Sequence, residues 1–253
     1  MKEAAPVLSN GGWRLLIADT GWYPTEGLFG ILPMLVASLM VMLGAIVLAG
    51  PIGLGCAIFL QYYAPPVTAK AFRLLLSLLA GMPSVVLGLW GLTVLVPIIG
   101  SWQPPGTSLL AAIIVLALMV VPTMALASAS ALSSVPSSLM NGGAALGLTL
   151  RARICFIALS TARTGIRSAA LLSMARAIGE TMVVLMVAGN VVQYPSGLFE
   201  PVRVLTANIA LEMAYATDLH RAGLFASALL LTLIVLVLAW MAARSGRRDM
   251  QYG

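Results

Sequence analysis

Residues 168–190, SAALLSMARAIGETMVVLMVAGN, are long and apolar enough to cross a bilayer, yet they carry Arg176 and Glu180 near their middle. An arginine or an acid at the centre of a spanning helix costs about 2.5–3.5 kcal/mol on insertion scales. An i,i+4 ion pair returns only about 0.2–0.5 kcal/mol, and less with the base N-terminal to the acid, as here. The stretch therefore predicts a membrane-spanning helix whose two charges need a wet cavity, a partner chain or a charged ligand. An intramembrane ionisable pair is a functional-site hypothesis by default.

Composition agrees. The chain has 253 residues, 60% hydrophobic and only 9% charged, where a soluble domain carries about 25% charged residues. These values predict an all-α integral membrane protein. The net charge of +6 comes from arginines and lysines gathered in a few short segments, so it reads as a topology signal and not as a nucleic-acid footprint. Residues 1–27 contain Pro6, Gly11, Gly12 and Pro24 without a long apolar core, which argues against a cleaved signal peptide. Cys56 lies in an apolar run and Cys155 in a basic segment; neither suggests a disulfide or a metal site.

Working outward, there is no charged residue between Glu26 and Lys70, or between Arg73 and Arg151. At about 20 residues per crossing, the first run holds one span, near 35–60, containing Pro51 and Gly50, Gly53 and Gly55. The second holds two, near 74–99 with an interruption at Gly81-Met82-Pro83, and near 109–130 with Pro122 inside; GSWQPPGT, 100–107, is a turn between them. Residues 168–190 make the fourth crossing and 223–241 the fifth. Lys70 and Arg73, the arginines at 151, 153, 163 and 167, and those at 244, 247 and 248 fall on alternate loops. The positive-inside rule then puts the C-terminus in the cytoplasm and the N-terminus, the 100–107 turn and 191–222 outside. The expected organisation is an external segment 1–30, a transmembrane domain 31–243 and a basic tail 244–253.

Catalysis finds little support. H-E-x-x-H, a Walker P-loop, G-x-G-x-x-G and G-x-S-x-G are all absent. His220, the single histidine, sits beside Asp218 in an external segment, a pattern most often solvated surface. Arg176 suits an anion, because a guanidinium stays charged and matches oxyanions bidentately, with Glu180 orienting it and keeping the empty site near neutral. The competing reading is a structural pair bonded to a neighbouring helix. The segment 131–167 interleaves apolar residues with Arg151 and Arg153, which suits a helix lying on the membrane surface or docked in a groove of a cytoplasmic partner.

The run Ala175-Arg176-Ala177-Ile178-Gly179-Glu180-Thr181-Met182, continuing to Gly189-Asn190, resembles the signature of the phosphate-specific ABC transporter permease subunits, of the PstC type rather than its PstA partner. Gly81-Met82-Pro83-Ser84 through Trp90-Gly91, Pro51-Ile52-Gly53-Leu54-Gly55 and Trp22-Tyr23-Pro24 match in the same order. The resemblance implies a type I ABC importer permease that is not itself an enzyme and needs no cofactor or metal. It implies a PstA-like second permease subunit, a dimer of cytoplasmic ATPases carrying ATP–Mg and an external phosphate-binding protein, in a bacterial or archaeal inner membrane. Arg176, Glu180 and Thr181 would face the phosphate pathway. A coupling helix within 131–167 would meet the ATPase through Asn141, Ala145, Gly147, Thr149, Arg151 and Arg153, with Gly147 matching the glycine of the family's EAA motif. Two departures stand out: Asn141 replaces the EAA glutamate and Ser160 an expected proline. About five crossings are counted where the family usually has six, which would leave its first helix missing from this sequence. The alternatives are a permease for molybdate, tungstate or sulfate, or an ATP-independent channel.

Overall fold

The computed structural model describes residues 21–247, and these are mostly helical. A short hairpin pairs β1 (Trp22–Tyr23) antiparallel with β2 (Leu28–Phe29). Helix α1 (Leu32–Ile58) continues as a π-helical turn, Phe59–Tyr63, and runs through Pro51. There follow α2 (Pro66–Ala80), then α3 (Ser84–Trp102, with a π-helical turn at Gly91–Leu95) and α4 (Leu109–Ser133). Next come α5 (Ser137–Ala145), α6 (150–161, π-helical over Arg153–Ala158), α7 (Arg163–Ile178) and α8 (Met182–Val187). The last two are α9 (Leu205–Glu212) and α10 (Asp218–Arg247).

Among the described residues, four segments are long and apolar enough to cross a membrane: Leu32–Tyr63, Ser84–Trp102, Leu109–Ser133 and Asp218–Ser245. Two expectations change. The crossing placed at 74–99 is two helices, because Gly81-Met82-Pro83 ends α2 and Ser84 starts α3. More consequentially, 168–190 is not a continuous span: α7 stops at Ile178 and α8 does not begin until Met182. Glycine and two polar residues interrupt it. Glu180 N–H closes a short turn onto Ala177 O at 3.2 Å instead of continuing the α-helical ladder. Broken helices of this kind are tolerated at membrane depth where they are buried in protein or line a cavity.

Apolar residues on the outer faces fit lipid as solvent. Val47, Ile52, Leu74, Val86, Leu236 and Val237 are all exposed, a pattern that would make a soluble monomer aggregate. Helix α10 carries a cation–π pair near each end, Arg221 with Phe225 at 5.8 Å and Arg244 with Trp240 at 5.1 Å. At about 1.5 Å per residue the two rings lie about 22 Å apart along the axis and the two arginines about 35 Å apart, bracketing a hydrocarbon layer of about 30 Å. Basic heads in water with aromatic rings just inside are what an interfacial belt requires.

The chain divides into two compact units, one comprising residues up to 45, 82–117 and 175–236, the other 46–81, 118–174 and from 237 onward. In the first, Trp22, Phe29, Ile31, Met34, Leu205 and Leu224 form the core, with Trp22 edge-on to Phe29 at 5.5 Å. Helix α3 packs backbone-close on α8, so a Cβ at Gly88 would meet Met186 Sδ at 2.8 Å and Val183 Cα at 3.3 Å. The first N–H groups of a helix lack helical partners, and at α4 the returning chain supplies them. Ser108, Leu109 and Leu110 donate to Val187 O, Glu200 O and Leu198 O, while Ser108 Oγ accepts from Ala111 N. In the second unit the core is built from small residues, Ala57, Ala125, Ala129, Ala158 and Ala162, around Leu60, Leu76 and Leu132. Gly53 lies against Met124 and Gly165 against Ala131, closer than a Cβ would allow. Small residues at contacts are the usual currency of helix association in lipid, where apolar burial alone gives little preference.

Candidate functional site

The second unit presents the segment expected to couple to a partner. It is helical almost throughout and not a loop. Helix α5 ends in a Schellman motif: Leu148 N–H donates to Gly143 O at 3.1 Å and Gly147 N–H to Ala144 O at 3.0 Å, with Gly147 at φ +77°. A glycine at this left-handed position is favoured because it lacks the Cβ that collides there. Two residues on, Thr149 Oγ1 caps α6 by accepting from Ala152 N at 3.3 Å. Gly147 and Thr149 thus make one tight corner. Asn141, Ala145, Gly147, Thr149 and Arg151 are all exposed on this corner and its flanking helices. Leu146 at 83% and Phe156 at 77% exposure stand beside them.

Arg153 is placed differently from Arg151. Its Nη1 donates to Met140 O at 3.3 Å and its stem passes under Gly143, where a Cβ would sit 3.2 Å from Arg153 Cγ. It ties α6 to α5 rather than projecting with Arg151. Ser160, the other departure from the family pattern, is exposed at the start of the last turn of α6.

In the first unit the break between α7 and α8 collects Arg176, Glu180 and Thr181. Arg176 lies in the last turn of α7, where the helix dipole favours a cation. Because the helix ends at Ile178, Glu180 and Thr181 lie past its C-terminal end, in a polar corner of non-helical backbone. All three residues are half-buried. Glu180 O accepts from Thr206 Oγ1 of α9 at 2.8 Å, and Thr181 O starts α8 by accepting from Leu185 N at 2.9 Å.

A buried cluster beside this corner went unseen in the sequence. The Glu212 carboxylate, on a residue 7% exposed, accepts from Trp22 Nε1, from Arg203 Nη1 at 2.8 Å and contacts His220 Nε2 at 2.9 Å. Arg203 also donates to Asn208 Oδ1 at 3.1 Å and through Nε to Asn190 O at 2.9 Å. Asn190 adopts φ +56° and donates Nδ2 to Leu185 O at 2.8 Å. His220, expected to be solvated, has a side chain only 16% exposed. The one sequence signal was an excess of ionisable residues in 191–222; nothing local said that they converge. Nearby, the Ser196 hydroxyl and N–H bond Glu200 at 2.6 and 3.0 Å and hold its exposed carboxyl below the usual carboxylate range.

Residues 49–248 match the family of the binding-protein-dependent transport system inner membrane component. The chain belongs to that family. It is 39% identical over 205 residues to the probable ABC transporter permease protein YqgH of Bacillus subtilis, covering 79% of this chain and 66% of that protein. It is 31% identical to the phosphate transport system permease protein PstC of Haemophilus influenzae, over 90% of this chain and 80% of that protein. The PstC of Mesorhizobium japonicum matches at 30% over 93% of this chain and 79% of its own length. Among solved structures, a bacterial ABC transporter involved in import of the polysaccharide alginate superposes with a TM-score of 0.65 at 14% identity, covering 96% of this chain and 87% of that one. The MetNI methionine ABC transporter gives 0.63 at 18% identity, over 88% and 97%. These likenesses establish the fold, the type I ABC permease core expected from the sequence. Membership of the family makes the chain a multi-pass membrane component of a transport system.

Proposed function

We propose that this chain is the PstC-type permease subunit of an ATP-driven importer of inorganic phosphate. The observation that carries the reading is the polar corner at 176–181, interrupting the one apolar stretch that holds both an arginine and a glutamate. The similarity to phosphate permeases over nine-tenths of the chain supplies the substrate. Arg176 offers a permanent cation to a phosphate oxyanion, and Glu180 offsets its charge in the empty state, so that a dianion meets a lower barrier without being trapped. Thr181 adds a hydroxyl at the same corner.

The chain works with a second, PstA-like permease subunit, a pair of ATPases that bind and hydrolyse ATP–Mg, and an external phosphate-binding protein. Asn141, Ala145, Gly147, Thr149 and Arg151, with Leu146 and Phe156, form the face that enters the ATPase. Arg153 holds that face in shape from behind. The N-terminus lies outside and the C-terminus in the cytoplasm, with α7 and α8 together completing the crossing that the sequence assigned to one helix. The chain contributes no catalytic group and no cofactor site.

Radiolabelled phosphate uptake by the complex reconstituted in liposomes tests this reading. Uptake should depend on ATP and on the binding protein, should resist excess molybdate or sulfate, and should be lost in Arg176→Gln while the complex still assembles. Wild-type uptake by Arg176→Gln would remove the pathway role. Preferential competition by molybdate or sulfate would reassign the substrate.

A further inference from the structure

Helix α9 has an unusual burden for its eight residues: Thr206, Asn208 and Glu212 are buried at 7, 0 and 7% exposure. Buried polar groups persist where they are bonded, and here the helix's bonds run to five separate parts of the chain. At its start, Leu205 N–H donates to Ser38 Oγ of α1 at 3.0 Å, and that hydroxyl donates to Met34 O at 2.7 Å. At the next residue, Thr206 Oγ1 donates to Glu180 O at 2.8 Å. At its end, Glu212 gathers Trp22 from the β-hairpin, Arg203 from the preceding segment and His220 from α10. Arg203 passes the restraint on to Asn190 O, and Asn190 to Leu185 O at the far end of α8. The backbone at Glu180 and the C-terminal end of α8 are thus both referenced to one short helix.

From this arrangement we infer that α9 is a strut for the transport site and that Thr206 is a positioning residue, holding the non-helical backbone at Glu180 so that the Glu180 and Thr181 side chains keep their places through the transport cycle. The inference rests on the reading of Arg176, Glu180 and Thr181 as pathway groups. A hydroxyl donated from outside is well suited to the task, since residues 179–181 lie between two helix ends and lack the continuous ladder that would otherwise fix them. Glu212 clamps the other end of the strut, where a charged acceptor holds donors more strongly than a neutral one.

The test uses the assembled importer in liposomes with inorganic phosphate as substrate, measuring uptake and ATP hydrolysis together. Thr206→Val keeps the shape and removes the donor; its Vmax for uptake should fall about tenfold, the factor for one lost hydrogen bond, with KM unchanged and more ATP spent per phosphate. Thr206→Ser, which restores the hydroxyl, should recover uptake. Glu212→Gln, which loosens the far clamp, should repeat the Vmax-only defect and keeps the question open to experiment should Thr206→Val fail to assemble. Normal uptake by Thr206→Val or by assembled Glu212→Gln would overturn the strut, as would equal defects in Thr206→Val and Thr206→Ser, which would make the effect one of packing. Arg176→Gln run alongside separates the two levels. If it is inactive while Thr206→Val is normal, only the strut falls; if it transports normally, the pathway reading falls and takes the strut with it.

Discussion

Replacing Glu212 by alanine should be among the more damaging single substitutions in the first unit. The carboxylate side chain is 9% exposed and its partner Arg203 20% exposed, so the carboxylate is largely desolvated and the guanidinium partly so. Removing one member of a buried pair costs about 3–5 kcal/mol, because the other charge stays behind. Arg203 keeps two acceptors, Asn208 Oδ1 and Asn190 O, and its partial exposure offers water, which places Glu212→Ala near the lower end, about 3 kcal/mol. Glu212→Gln retains an oxygen for one donor but forfeits the charge, and the difference between charged and neutral hydrogen bonds puts it at about 1–2 kcal/mol. For a chain of this size each kcal/mol moves the midpoint by about 2–4 °C. The expected losses are then about 6–12 °C for alanine and roughly half that for glutamine. Fluorescence-detected size exclusion of detergent-solubilised protein after graded heating reads these midpoints. The double variant Glu212→Leu with Arg203→Met supplies the sign test, since it removes the charge that Glu212→Ala leaves behind; it should recover part of the loss and not all of it, because Trp22 Nε1 and His220 Nε2 still lose their partner. An alanine variant as stable as the parent would refute the reasoning, as would a double variant no better than Glu212→Ala.

Three further predictions follow from backbone geometry and loop chemistry. Gly147 is left-handed, and a Cβ there would have nothing within 4 Å, so its requirement is conformational; Gly147→Ala should cost about 1 kcal/mol or more at the corner and lower phosphate-coupled ATP hydrolysis, while Gly147→Asn, which tolerates that backbone, should retain more of it. Gly106 combines φ +87° with a Cβ position 2.3 Å from Val96 O, whereas a Cβ at Gly55 meets nothing. Gly106→Ala should therefore reduce the yield of folded protein sharply and Gly55→Ala should leave it equal or improved, as read by the monodisperse fraction after purification. Glu200, held below the usual carboxylate range by Ser196, stabilises its loop above the unfolded carboxylate value and loses that contribution as pH falls through its own lowered value. Ser196→Ala should move the titration of Glu200 back up toward the ordinary range, measured by NMR of a side-chain 13C-labelled glutamate.

Much of this molecule is legible along the chain, and for a simple reason. A bilayer forces backbone polar groups to pair within each segment, so composition and run length alone mark the membrane class, the apolar crossings, the 100–107 turn and the basic segments at 70–73 and 151–167. Glycine and proline carry local backbone geometry, which is why Gly81-Met82-Pro83 was recognisable as an interruption and why Gly147 sits at a helix end. The run at 175–182 also stands out along the chain, because Arg176, Glu180 and Thr181 are chemically exceptional in so apolar a setting.

Tertiary structure alone decided what those residues do with one another. Apolar content predicted a continuous helix through 168–190, but the ladder breaks at Gly179, Glu180 and Thr181, where the Glu180 carbonyl finds its partner off the helix, in Thr206. Arg153 and Arg151 are alike in sequence, yet one turns inward to Met140 O and the other faces out. The Glu212 cluster is the extreme case: Trp22 and Glu212 are 190 residues apart, and His220 was indistinguishable from a solvated surface histidine until the fold closed over it. Helical periodicity and turn chemistry report on neighbours a few residues away. Contacts between distant segments depend on how helices pack, and that choice is made by the whole chain at once.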